Sequence, residues 1–154
     1  MWKEPTRRNA HEPTGRKEAV LKLVSTWDVE TRRAPEEWFT GAVWMGGEPA
    51  DSPPDAGIFH VFFEPGTRTN WHTHPEGQIL YVVTGEGRAQ REGEPAVDIG
   101  PGDVVYFAPG EKHWHGARPD NFMSHVAINP ANTTDGGTDW MKPVTNEEYL
   151  GKTN

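Results

Sequence analysis

The sequence predicts an all-β protein, a small antiparallel β-barrel or jelly roll with a short C-terminal helix. Three observations predict it. Between Gly57 and Asn129 the chain is a series of short apolar or alternating runs. Each run is bounded by a turn signal such as "PG", "TGEG", "GPGD" or "RPDN". Gly and Pro are abundant, at 17 and 14 residues, and they punctuate the runs at the spacing of short strands.

Residues 1–18 are charged, contain Pro5 and Pro13 and show no periodicity, which predicts a flexible N-terminal arm with His11 solvated. Residues 19–154 then form one domain, with a core barrel at 57–129 and an extension at 130–154, because 154 residues are too few for two ordinary domains. The run "AVLKLVST" suits a strand added to a sheet edge, of this chain or of a partner subunit. "APEEWF" reads as one helical turn with Pro35 in it, followed by a strand "GAVWM" and the loop "GGEPADSPPDAG". The barrel strands are "IFHVFFE", "TNWHTH", "GQILYVV", "EGRAQRE", "AVDI", "DVVYFA", "KHWHGA" and "MSHVAIN". In "WMKPVTNEEYL", Thr145 and Glu148 have the spacing of a capping box for a terminal helix.

Composition narrows the function. Fifteen basic residues stand against 23 acidic ones, and a formal charge of −8 without a basic stripe argues against nucleic acid as a partner. No apolar run approaches the roughly 20 residues of a membrane span, and the N-terminus lacks the apolar core of a signal peptide, which predicts a cytoplasmic protein with no membrane partner. With no cysteine, a metal must be held by nitrogen and oxygen.

Side chains two apart in a strand share a face, so His72 and His74 align, as do His113 and His115. Gln78, Leu80 and Val82 form one face of the next strand, and His125, Ala127 and Asn129 one face of the last. If these faces all point inward, five histidines, Gln78 and Asn129 meet in an apolar cup with Phe59, Val61 and Phe63. Buried imidazoles without partners cost about 1 to 3 kcal/mol each, and a divalent cation relieves that cost by taking their lone pairs. The histidine doublets therefore read as parts of a metal cage. His115 and His125 remain open between a supporting role, a general base and a hydrogen-bonded wall. His60, of opposite parity to Phe59 and Val61, reads as an ordinary surface histidine. Trp71 and Trp114 fall on the outer face, under a helix or a second subunit.

With these residues in view, the chain resembles the cupins, small β-barrels with a metal in the cup. Gly66, His72, His74, Gln78 and Gly85 fit the spacing of the first cupin motif, with glutamine in the place of glutamate. Gly102, Gly110 and His113 fit the second, where Pro109 falls one place late and Ala117 replaces asparagine. From "EEWFTG" to "DWMKPVTNEEY" the chain is similar to the bacterial single-domain cupins that include manganese-dependent hydroxynitrile lyases. That resemblance implies one divalent metal ion, manganese first with iron, nickel, cobalt or zinc as alternatives, on His72, His74, His113 and Gln78. Glu76 is an alternative fourth ligand. It further implies a small-molecule substrate and unligated His115 and His125 as catalytic residues; the strand faces themselves give the pocket wall as Phe59, Val61, Leu80 and Asn129, the last standing where the lyases carry glutamine. Pairing into a homodimer or higher homo-oligomer follows from the same resemblance. The expected reaction is cleavage or formation of a carbon–carbon bond in a small hydroxylated substrate. The alternatives are a dioxygenase of the quercetinase or diketone-cleaving type and a non-catalytic small-molecule-binding protein.

Overall fold

A computed structural model describes residues 29–48, 56–130 and 137–151, together with Leu23 and Ser25. The arm at 1–18, most of "AVLKLVST" and the loop at 49–55 lie outside the described residues. Two antiparallel sheets carry the chain. One has the order β1 (Arg32–Arg33), β3 (Val43–Glu48), β4 (Ala56–Phe63), β12 (Met123–Pro130), β7 (Gln78–Gly85), β10 (Val104–Phe107). The other runs β13 (Asp139–Trp140), β6 (His72–Thr73), β11 (His113–Ala117), β5 (Arg68–Thr69), β2 (Phe39–Thr40), with β8 (Gly87–Arg91) paired to β11 and β9 (Val97–Ile99) to β8.

The alternation that predicted strands decides which side chains meet. In β7, Gln78, Leu80 and Val82 are buried while Tyr81 and Val83 face outward. In β4, Val61 and Phe63 point in and Ile58 and Phe62 out. The inner faces of both sheets form one core around Phe39, Val43, Val61, Phe63, Leu80, Val82, Phe107 and Met123. Removing apolar side chains of this size from water contributes about 1.5 to 3 kcal/mol apiece.

Two expectations shift at their edges. The "APEEWF" segment is a hydrogen-bonded turn, with Trp38 N donating to Pro35 O at 3.1 Å, and no helix follows because Phe39 and Thr40 pair with β5. The loop after "GAVWM" begins later than expected, since Gly46 and Gly47 pair with His60 and Phe59.

The C-terminal helix α1 (Asn146–Leu150) has the expected capping box, Thr145 accepting from Glu148 N and Glu148 from Thr145 N, and stops at Gly151 in the left-handed region. This helix covers the outer tryptophans, because Trp71, Trp114, Val144 and Tyr149 form a second apolar cluster. Those tryptophans therefore give no support to a subunit contact. The buried Arg68 guanidinium lies 4.4 Å from the centre of the Tyr149 ring and donates to Val144 O at 2.8 Å and Asn146 Oδ1 at 2.9 Å, tying the helix to β5. Tyr149 Oη donates to Ala117 O on β11 at 2.6 Å. Among the described residues no helix is long and apolar enough to cross a membrane.

Candidate metal centre

Register brings the two histidine doublets together. His72 stands directly opposite His113 across β6 and β11, and Trp140 of β13 pairs with His72 on its other side. The segment between His74 and Gln78 turns at Gly77, whose φ of 81° and closeness to Phe107 O, 2.5 Å from where a Cβ would stand, admit only glycine. His74 O accepts from both Gly77 N at 3.2 Å and Gly110 N at 2.9 Å, which fastens the first motif to the turn preceding His113.

His72, His74 and His113 are all buried, and one ring nitrogen from each lies within 4.8 Å of the others. Second contacts fix which nitrogen is bare. His72 Nδ1 donates to Asn70 O at 2.8 Å and His113 Nδ1 to Glu111 O at 2.7 Å, so each keeps a lone pair on Nε2. His74 Nδ1 lies 3.3 Å from Thr138 Oγ1, and its buried Nε2 has no hydrogen-bond partner. Phe107 stacks on His113 at 3.6 Å and holds the ring plane. Gln78 joins the three, its Oε1 3.2 Å from His113 Nε2 and its Nε2 donating to Asn129 Oδ1 at 3.0 Å. Glu76 is exposed and outside the group, which disfavours it as a ligand.

Burial keeps these imidazoles neutral. Desolvation, with a smaller contribution from the neighbouring His113, lowers the pKa of His74 to about 4. Desolvation likewise brings His113 to about 4 against the opposing hydrogen bond to Glu111 O, and His72 well below its ordinary value. Converging bare lone pairs, an orphaned buried Nε2 and an amide oxygen form a donor set that fits a divalent cation with nitrogen and oxygen preferences.

Beside the group lies a cavity of about 360 Å³ lined by Trp38, Met45, Phe59, Val61, His72, His74, Gln78, His115, Asn129 and Trp140 among others. Phe59, Val61, His115 and Asn129 are among the residues on this lining. Leu80, Phe63 and His125 are not on this lining. Leu80 is fully buried in the core one layer behind it, and Phe63 packs edge-on against His115. His125 is fully buried behind His115, joined to it by a 3.2 Å contact between His125 Nε2 and His115 Nδ1. Burial lowers the His125 pKa to about 3 and that of His115 well below its usual value. His60 is on the outer face, 2.6 Å from Ser124 Oγ, and takes no part in the cavity.

Sequence parity missed Trp38 and Trp140, which stack at 5.2 Å with an interplanar angle of 5° and wall the cavity. They come from a turn and from the C-terminal extension, outside the alternating region. A two-residue strand, β13, carries no periodicity that would have marked Trp140.

A β-barrel cup with three converging histidines is the arrangement of a cupin. Residues 59–128 match the cupin domain family, and the chain belongs to it. Over 121 residues it is 51% identical to the (R)-mandelonitrile lyase of Granulicella tundricola, spanning 76% of this chain and 89% of that relative. A 53-residue stretch, 34% of this chain and 26% of the other, is 34% identical to the dimethylsulfoniopropionate lyase DddQ of Ruegeria pomeroyi. A cupin-like protein of Thermotoga maritima, 40% identical, superimposes with a TM-score of 0.71 over 79% of this chain and 92% of that one.

Proposed function

We propose that the protein is a metal-dependent lyase of the cytoplasm that cleaves, and in reverse forms, a carbon–carbon bond of a small hydroxylated substrate, with a cyanohydrin as the type. The observation that carries this reading is the place of His115. A neutral imidazole whose Nε2 has no partner lines the same apolar cavity as His72, His74 and Gln78. The 51% identity to a protein named as a mandelonitrile lyase supports the same reaction class.

His72, His74, His113 and Gln78 would hold the metal, which we assign as manganese, with iron, nickel, cobalt or zinc chemically admissible. Bound there it supplies Lewis-acid polarisation of a substrate oxygen, undiminished by any ligand carboxylate. His115 is the base. With its Nδ1–H donated to His125 Nε2, His115 Nε2 carries the free lone pair and takes the substrate hydroxyl proton. As that O–H bond breaks, the carbonyl forms and the C–C bond opens with its electron pair leaving on cyanide carbon. The proton on His115 then passes to cyanide, so no oxidant is consumed. Trp38, Met45, Phe59, Val61 and Trp140 take the apolar part of the substrate and exclude water.

The same reading joins the chain to a second copy through the outer face of the six-stranded sheet, where Trp44, Ile58, Phe62, Tyr81, Val83 and Tyr106 are exposed on four of its strands.

Metal content and mandelonitrile cleavage measured on the purified protein, with and without oxygen, test the reaction. Oxygen-independent turnover abolished by His113→Ala is expected. Oxygen uptake coupled to turnover would replace the lyase by a dioxygenase, and absence of both would leave a binding protein.

A further inference from the structure

We propose that Asn129 is a positioning residue for the fourth metal donor: by accepting from Gln78 Nε2 it turns Gln78 Oε1 towards the three histidines. The inference rests on the reading of Gln78 as a ligand given above.

A primary amide has one end that offers lone pairs to a cation and one that repels it. The two ends are nearly equal in size, so packing alone does not choose between them. Hydrogen bonding within the histidine group would choose wrongly. His113 Nδ1 is committed to Glu111 O at 2.7 Å, which leaves a lone pair on Nε2, and an amide NH2 turned towards that lone pair would make an ordinary hydrogen bond. The structure has the opposite arrangement, with Gln78 Oε1 3.2 Å from His113 Nε2. Two facing lone pairs are unfavourable between themselves and suited to a shared cation.

The contact that matches this orientation is at the other end of the amide, where Gln78 Nε2 donates to Asn129 Oδ1 at 3.0 Å. Both residues sit on inner faces of strands joined by register. β7 and β12 are neighbours, and Ala127, two residues before Asn129 on the same face, pairs with Leu80, two residues after Gln78. A residue at 129 that only accepts should therefore preserve the site, and one with no acceptor should release the amide. A carboxylate at 78 needs no orienting, because both its oxygens are donors to a metal.

The test is Mn2+ affinity of the metal-stripped protein, read by competition with a chelator, for Asn129→Leu, Asn129→Ala and Asn129→Asp in the native and Gln78→Glu backgrounds. Asn129→Leu and the smaller Asn129→Ala are expected to weaken Mn2+ binding by about 10- to 100-fold with Gln78 present. The same changes should stay within about 2-fold in the Gln78→Glu background. Asn129→Asp should retain native affinity. Equal losses in both backgrounds, or no loss with Gln78 present, would overturn the positioning role. Gln78→Leu separates this from the underlying reading. Unchanged Mn2+ affinity in that variant removes Gln78 as a ligand and the proposal with it, whereas weakened affinity beside a silent Asn129→Ala overturns the proposal alone.

Discussion

His115 and His125 share one contact, 3.2 Å between His115 Nδ1 and His125 Nε2, while His115 Nε2 and His125 Nδ1 are buried without partners. Two neutral imidazoles, with one of their two N–H protons in the contact, make an asymmetric pair. The member lining the cavity can act as a base only when its own Nδ1 proton is given to the member behind.

The two histidines should therefore differ on substitution. His115→Ala is expected to lower kcat for mandelonitrile cleavage by about 10²- to 10⁴-fold while metal content stays near that of the native protein. His125→Phe removes the proton acceptor behind it and should lower kcat less. Steady-state kinetics with elemental analysis check both, and full activity in His115→Ala would dismiss it as the base.

Acid should destabilise the metal-free protein. His74 and His113 are held at about 4, His125 at about 3, and His72 and His115 well below the ordinary value, all chiefly by burial. The unfolded chain takes up protons at these rings as pH falls through about 6.5, whereas the folded chain does not until its own lower values are reached. Stability is thus full above about 6.5 and declines towards 4, by about 1.4 kcal/mol per pH unit for each such histidine. Urea midpoints of the apoprotein from pH 7.5 to 4 measure this, and a flat profile would contradict it.

Trp140 is expected to set substrate size. Its ring stacks on Trp38 and lies 4.7 Å from the His72 ring, so Trp140→Ala removes one wall of the cavity. KM for mandelonitrile should rise about 10-fold or more, given the apolar area lost, with a smaller change for acetone cyanohydrin. Equal changes for both substrates would count against a size-selecting wall.

The outer sheet face predicts a dimer that charge will break. Tyr81 and Phe62 are exposed on β7 and β4, the two strands flanking β12. Phe62→Lys combined with Tyr81→Lys should convert a dimer to a monomer by light scattering, and a native protein that is already monomeric would refute the pairing.

Much of the site was legible because β-strands have a period of two. His72 and His74, Gln78, His113 and His115, and Asn129 each declared a face by their neighbours, and the motif spacing linked those faces. Parity did not show depth. It set Leu80 and His125 on the inner side correctly, but whether an inward side chain reaches the cavity or stops in the layer behind depends on the opposite wall. Here His115 lines the cavity, and His125 packs behind it against the rings of His115 and Phe63. Trp38 and Trp140 were invisible for another reason, since a turn and a two-residue strand have no period to read.

The sequence by itself determined the strand pattern, the inward faces and the set of neutral nitrogen and oxygen donors, because these follow from local alternation and from residue chemistry. Only the tertiary structure decided which lone pairs stay bare, which histidine meets the cavity and which way the Gln78 amide points. The lone pairs of His72 and His113 are set by hydrogen bonds to Asn70 O and Glu111 O, while the contacts of His115 with His125 and of Gln78 with Asn129 exist only because separate strands pair in register.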